Sequence, residues 1–186
     1  MILDVEKEVK KFHKQCKSLG QSLMEEHNQV SMTVAILTQS KGMEFTIGVV
    51  PAVGFLYDTE DKEPFFDAMK HVIKITKPIA IAFISEAWMV KRAKDHKYDF
   101  SIPVREQEDR KEVLMVQVET YKDTSLTVYD IIREKTPNGE EISLELDIEE
   151  TKISKDNVEG MFADMLKENY EQFHLSIEEQ LKKSLN

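Results

Sequence analysis

With a single cysteine, Cys16, among 186 residues, the chain can form neither an internal disulfide nor a cysteine-based metal site, which fits a reducing compartment. No stretch approaches the roughly 18 to 20 uninterrupted apolar residues that a membrane span needs. The opening residues, Met1 to Lys11, are charged where a secretion signal would require an apolar core, so the sequence predicts a cytoplasmic protein with no membrane attachment. There is no Gly-rich phosphate loop, no HExxH, no CxxC pair, no calcium loop and no GxSxG, which removes most large enzyme families. The five histidines, His13, His27, His71, His96 and His174, have no ligand spacing, so neither a metal site nor a cofactor is expected. No internal repeat and no low-complexity linker interrupts the chain. Its length and its 41% hydrophobic content predict one domain over residues 1–186.

Positive charge is also in deficit. The net charge is −10, and from Glu140 onward 13 acidic residues face 5 lysines, a balance of −8. Such a field repels phosphate backbones and disfavours nucleic-acid binding unless a basic patch overrides it. The segment Lys91, Arg92, Lys94 and Lys97 is the candidate patch; the commoner use of such a run is an exposed connection.

Hydrophobic periodicity supplies the fold class. Val5, Val9, Phe12, Cys16, Leu19 and Leu23 recur in steps of four and three, which predicts an amphipathic helix ending near His27 and Asn28. Ser31 to Thr38 and Met43 to Val50 read as strands joined by a hairpin through Gly42, with Met43, Phe45, Ile47 and Val49 on one face. Pro51 to Tyr57 suits a covered loop. Asp61 or Glu63 opens a second helix with Phe65, Met69, Val72, Ile73 and Thr76 inward and His71 in solvent, and Pro78 ends it. Ile79 to Val90 is apolar enough to be a central strand buried on both sides. Lys111 to Thr120, Ser125 to Arg133 and Glu141 to Ile148 follow as strands, the last two joined through Asn138-Gly139. In the last of them Ile142, Leu144, Leu146 and Ile148 alternate with polar residues. Capping signals at Asp156 with Glu159 and at Ser176 with Glu179 open two further helices. The order α-β-β-α-β-β-β-β-α-α predicts an α+β fold, a mostly antiparallel sheet of about six strands with helices packed on it.

The residue that stands out is Glu86, a carboxylate inside a strand otherwise fit for burial, with Ile84 and Trp88 on the same face. It is expected either to form a structural ion pair with Arg92, Arg105 or Arg110, or to line a pocket where a raised pKa suits acid-base or ligand-binding work. Ion-pair networks commonly produce this pattern, which puts the structural reading first. Trp88 is expected in the core with its indole N–H on an acceptor, the other reading being a ligand-stacking platform. Arg110 and Glu112, in the mixed-charge stretch from Arg105, would face Glu86 across the sheet if pairing begins there.

The strings Ile84-Ser85-Glu86-Ala87-Trp88-Met89 and Asp109-Arg110-Lys111-Glu112-Val113-Leu114-Met115 are similar to segments of small uncharacterised prokaryotic and phage-associated proteins. The resemblance spans the middle third of the chain. It draws interest to Glu86, Trp88, Arg110 and Glu112 and implies no activity.

Missing catalytic motifs, apolar helix stripes and nine methionines together favour a non-enzymatic binding or assembly protein, homodimeric or bound to another protein. The alternative is a hydrolase acting on a small polar or phosphorylated substrate, with Glu86 as base and Arg92 or Arg110 holding the anion.

Overall fold

The apolar repeat at the start of the chain folds as the helix α1, Val5–His27, in a computed structural model that describes residues 5–39, 45–51, 62–90, 104–136, 139–154 and 165–172. A straight helix has 3.6 residues per turn, so its buried line drifts away from the 3.5-residue repeat read in the sequence. Val5, Phe12 and Cys16 are buried as that repeat predicts, while His13, Gly20 and Met24 replace Leu19 and Leu23 as the fully buried positions of the later turns. Gly20 is there for closeness: a Cβ on it would stand 3.0 Å from Ile84 Cγ2. The helix stops at Asn28, whose φ of 57° is the left-handed cap conformation and whose N–H donates to Met24 O at 2.8 Å.

Six strands follow the predicted pattern with shifted ends: β1 Thr33–Gln39, β2 Phe45–Pro51, β3 Ala80–Val90, β4 Arg110–Thr120, β5 Asp123–Thr136 and β6 Gly139–Ser154. They form one antiparallel sheet in the order β2-β1-β3-β4-β5-β6. β1 and β2 pair antiparallel as expected, and the turn through Gly42 lies outside the described residues. The chain then crosses through α2, Lys62–Thr76, and returns as β3 on the other side of β1, after which β3 to β6 form a meander. Helix α3 occupies residues 165–172. The α+β order of the prediction therefore holds through the third helix. The Pro51 to Tyr57 loop beyond Pro51, the capping signal at Asp156 and the terminal helix from Ser176 lie outside the described residues.

The sheet is buried from both sides by different partners. Phe12, Cys16 and Met24 of α1 pack on Ala35, Leu37, Ala82, Ile84, Leu114, Val116 and Tyr129. On the opposite face Phe65, Met69 and Ile73 of α2, with Leu166 of α3, pack on Val34, Ile36, Ile81 and Phe83. α2 stops where predicted, with Lys77 in the left-handed region at φ 49° and Pro78 behind it. His71 is in solvent as expected.

Two expectations need correction. β3 is central but buried on both sides only from Ala80 to Ile84, while Ser85 to Val90 are partly exposed. In β6 the strict alternation does not continue beyond Leu146. The pairing of β5 with β6 shifts between Val128 and Tyr129 and again between Leu126 and Val128, and each inserted residue resets which side faces the core.

Candidate functional site

Alternation along β3 puts Glu86 on the same face as Ile84, the face that α1 covers. The register sets Leu114 opposite Glu86 and Glu112 opposite Trp88, so Glu112 is the diagonal neighbour of Glu86 on that face. One strand further, Arg133 of β5 reaches back. Its Nε and a terminal nitrogen donate to the two Glu112 oxygens at 2.8 and 2.9 Å, a bidentate pair. The same guanidinium donates to Asn28 O at 2.9 Å and lies 3.6 Å from Glu86 Oε2. The other Glu86 oxygen accepts the Val30 N–H. Two carboxylates and one arginine thus pin the segment that leaves α1 onto strands β3, β4 and β5.

The two acids are not equivalent. Glu86 has its pKa raised, first by burial and then by the like charge of Glu112, with the Val30 N–H and Arg133 opposing. Glu112 has its pKa lowered, chiefly by the hydrogen bonds from Arg133. The pair of opposite shifts predicts a pH signature. The Glu112–Arg133 contribution is present above the ordinary glutamate value and is lost as pH falls through the lowered folded-state pKa of Glu112. The ionised Glu86 works the other way: its unfavourable contribution is full above its raised folded-state pKa and vanishes below the ordinary value. Glu86→Gln should therefore match or exceed the parent in stability at pH 7, since the amide can still accept from Val30 and can donate to Glu112. Its advantage should shrink as pH falls through the raised folded-state pKa of Glu86 and be gone below the ordinary glutamate value of about 4.3. Urea unfolding across that range is the check, and a large loss of stability for Glu86→Gln at pH 7 would refute the assignment.

Of the arginines expected beside Glu86, none is its partner among the described side chains. Arg110 sits opposite Val90, its guanidinium 5.2 Å from the centre of the Trp88 ring, in a cation–π contact, and it donates to Gln107 O at 3.0 Å. Arg92 and the side chain of Arg105 lie outside the described residues, as does the basic patch Lys91 to Lys97. Trp88 is not in the core; it is 46% exposed, two residues beyond Glu86, where Val30, already past the end of α1, meets β3. The most buried acid among the described residues is Glu119 of β4, 1% exposed and opposite Ile81 on the α2 side, a position that reads in the sequence as the polar end of a strand. Arg133 was legible as a strand end and nothing more, since its role depends on strand order.

Among the described residues, two cavities lie along α1. One of about 140 Å³ is bordered by the stacked rings of Tyr121 and Tyr170, 4.0 Å apart, and by Lys122, which reaches Glu6 at 3.4 Å. The other, of about 380 Å³, is an open groove between α1 and β5, edged by Lys10, Lys14 and Lys17 with His13 and Tyr129 beneath. His13 borders both and is buried, its Nε2 3.2 Å from Thr127 Oγ1. The only sequence signal for this region was the lysine spacing of ten, fourteen and seventeen. Cys16 is a core thiol, pushed up to about 12 by burial and so unreactive. Among the described residues no group of three His, Cys, Asp or Glu is placed to hold a metal ion, and no helix is long and apolar enough to cross a membrane.

No family model matches this chain, and no curated protein or solved structure is significantly similar to it.

Proposed function

We propose that this chain acts by assembly rather than catalysis, and that the assembly is a homodimer formed along strand β2. The carrying observation is the contrast between the two edges of the sheet. β2 pairs with β1 on one side only among the described residues, and its sequence, Phe45-Thr46-Ile47-Gly48-Val49-Val50-Pro51, has no charged residue. β6, the opposite edge, carries Glu140, Glu141, Glu145, Asp147, Glu149 and Glu150. Sheet edges are ordinarily guarded by charge against pairing with another chain, so the acidic edge is protected and the neutral one, among the described residues, is unguarded.

The side chains support the same reading. Ile47 and Val49 are opposite Leu37 and Ala35, on the α1 side of the sheet, but lie beyond the reach of α1 and are 36% and 50% exposed. A two-fold antiparallel pair centred near Gly48 brings Ile47 of one copy beside Val49 of the partner subunit, apolar against apolar with no like charges opposed. A hydrolase reading would need Glu86 to leave the Val30 N–H and the Arg133 guanidinium before it could act as a base, and Arg110 to leave the Trp88 ring.

Light scattering after size exclusion should give twice the 21.6 kDa chain mass for the parent. It should give the single mass for Val49→Lys, with the circular dichroism spectrum unchanged. A parent that stays monomeric at high concentration, or a Val49→Lys variant that still dimerises, would sink the proposal.

A further inference from the structure

Several lysines of the described residues are paired with acids: Lys11 reaches Glu8 at 3.8 Å, Lys70 reaches Asp67 at 2.9 Å, Lys111 reaches Asp130 at 2.5 Å and Lys122 reaches Glu6 at 3.4 Å. Lys10, Lys14 and Lys17 differ. None of the three has an acidic partner within 4.0 Å among the described residues, and they converge on one groove, at i, i+4 and i+7 of α1. In a chain of net charge −10 these three ammonium groups make a locally positive rim. Like charges brought to one rim favour an anion held between them.

The groove is a partly open recess. Its volume of about 380 Å³ lies within the range of small-molecule sites, roughly 300–1,000 Å³. Its floor is rigid: Tyr129 is buried in the core beneath α1, and His13, also buried, is held at Thr127. Gln21 offers an amide at one end. Leu146, opposite Tyr129 on β6 and half exposed, adds apolar surface alongside. A multiply charged anion with a small organic body fits this combination. A long nucleic acid does not, because it would extend beyond the groove into the acidic field of the rest of the chain.

We infer that the groove between α1 and β5 binds a small phosphorylated ligand, with the ammonium groups of Lys10, Lys14 and Lys17 holding the phosphate over Tyr129 and His13. Binding here is independent of the β2 edge, so Val49→Lys leaves it unchanged and its failure is separable from failure of the dimer.

The test is a titration of the ¹⁵N-labelled full chain with inorganic phosphate, and in parallel with glycerol 3-phosphate, against chloride at matched ionic strength. The expected result is saturable shifts confined to the amides of α1 from Lys10 to Gln21 and of β5 around Tyr129, with glycerol 3-phosphate binding at least as tightly. Lys14→Glu, at an exposed position that leaves the core untouched, reverses one charge beside the anion and should weaken binding at least about tenfold. Shifts spread over every exposed lysine, or an affinity unchanged in Lys14→Glu, would overturn the inference. So would a short single-stranded oligonucleotide that outcompetes both phosphates and loses affinity steeply with salt, since that result assigns the face to nucleic acid instead.

Discussion

Replacing Arg133 by alanine is expected to lower the stability of the chain by about 3 kcal/mol at neutral pH, the lower end of the range for breaking a buried ion pair. The lower end applies because Arg133, Glu86 and Glu112 keep about a quarter of their side-chain surface in solvent, which screens part of the interaction. The loss has three sources in one side chain. Glu112 loses a bidentate partner, Glu86 loses the only positive charge beside it among the described residues, and the carbonyl of Asn28 loses its donor. Glu86 and Glu112 are then left as two neighbouring carboxylates without the opposing guanidinium, so the pKa of Glu86 is expected to rise further. Chemical denaturation measures the first effect and titration of Glu86 the second. Amide exchange supplies a third readout, which should quicken at Asn28 and Val30 before it does in the middle of β3. A change in stability below about 1 kcal/mol would mean that the cluster is a surface network of little consequence.

Phe12→Ala is expected to cost about 3–5 kcal/mol, the range for removing a fully buried aromatic ring. Phe12 has no exposed surface and lies in the cluster that joins α1 to the middle of the sheet. Gly20 fixes α1 close to β3 two turns later, so the helix cannot slide in to fill the space. The comparison that gives the number meaning is Ile75→Ala. Ile75 is also a large aliphatic residue on a helix, yet it is 72% exposed, and its loss should change stability by no more than about 0.5 kcal/mol. Both variants need to be unfolded at one fixed protein concentration, because dimerisation would otherwise add a concentration-dependent amount to each. Equal effects for the two would mean that α1 does not pack as described.

The same contrast separates what could be read in advance from what could not. Phe12 and Ile75 are both apolar positions on amphipathic helices, and the pattern of the first helix placed Phe12 inward without any knowledge of the fold. It placed Leu19 and Leu23 inward as well, whereas the helix turns Gly20 and Met24 to the sheet, because a repeat read as 3.5 drifts in a helix of 3.6 residues per turn. Ile47 and Val49 show the converse. Their alternation with Thr46 and Gly48 assigned them to one face correctly, but α1 is too far from the edge strand to cover them.

At the carboxylate cluster, the sequence marked Glu86 as a residue needing a partner and suggested Glu112 as a neighbour across the sheet. It did not point to Arg133. The arginines it named, Arg92, Arg105 and Arg110, follow Glu86 within 24 residues, whereas Arg133 follows it by 47 and reaches Asn28 from 105. Contacts of that range depend on which strands are adjacent, and alternation within a strand carries no information about its neighbours.

The sequence by itself determined the α+β class, the amphipathic character of the first two helices and the antiparallel pairing of β1 with β2 and of β5 with β6, because these follow from periods of 3.6 and 2 and from local turn chemistry. Only the tertiary structure decided the strand order β2-β1-β3-β4-β5-β6, the capping of α1 by Arg133, the burial of His13 and Glu119, and the charge contrast between the two sheet edges. Those features arise where segments far apart in the chain come into contact. A lone strand has no edge, and a lone lysine stripe has no groove, until the sheet has closed against the helix.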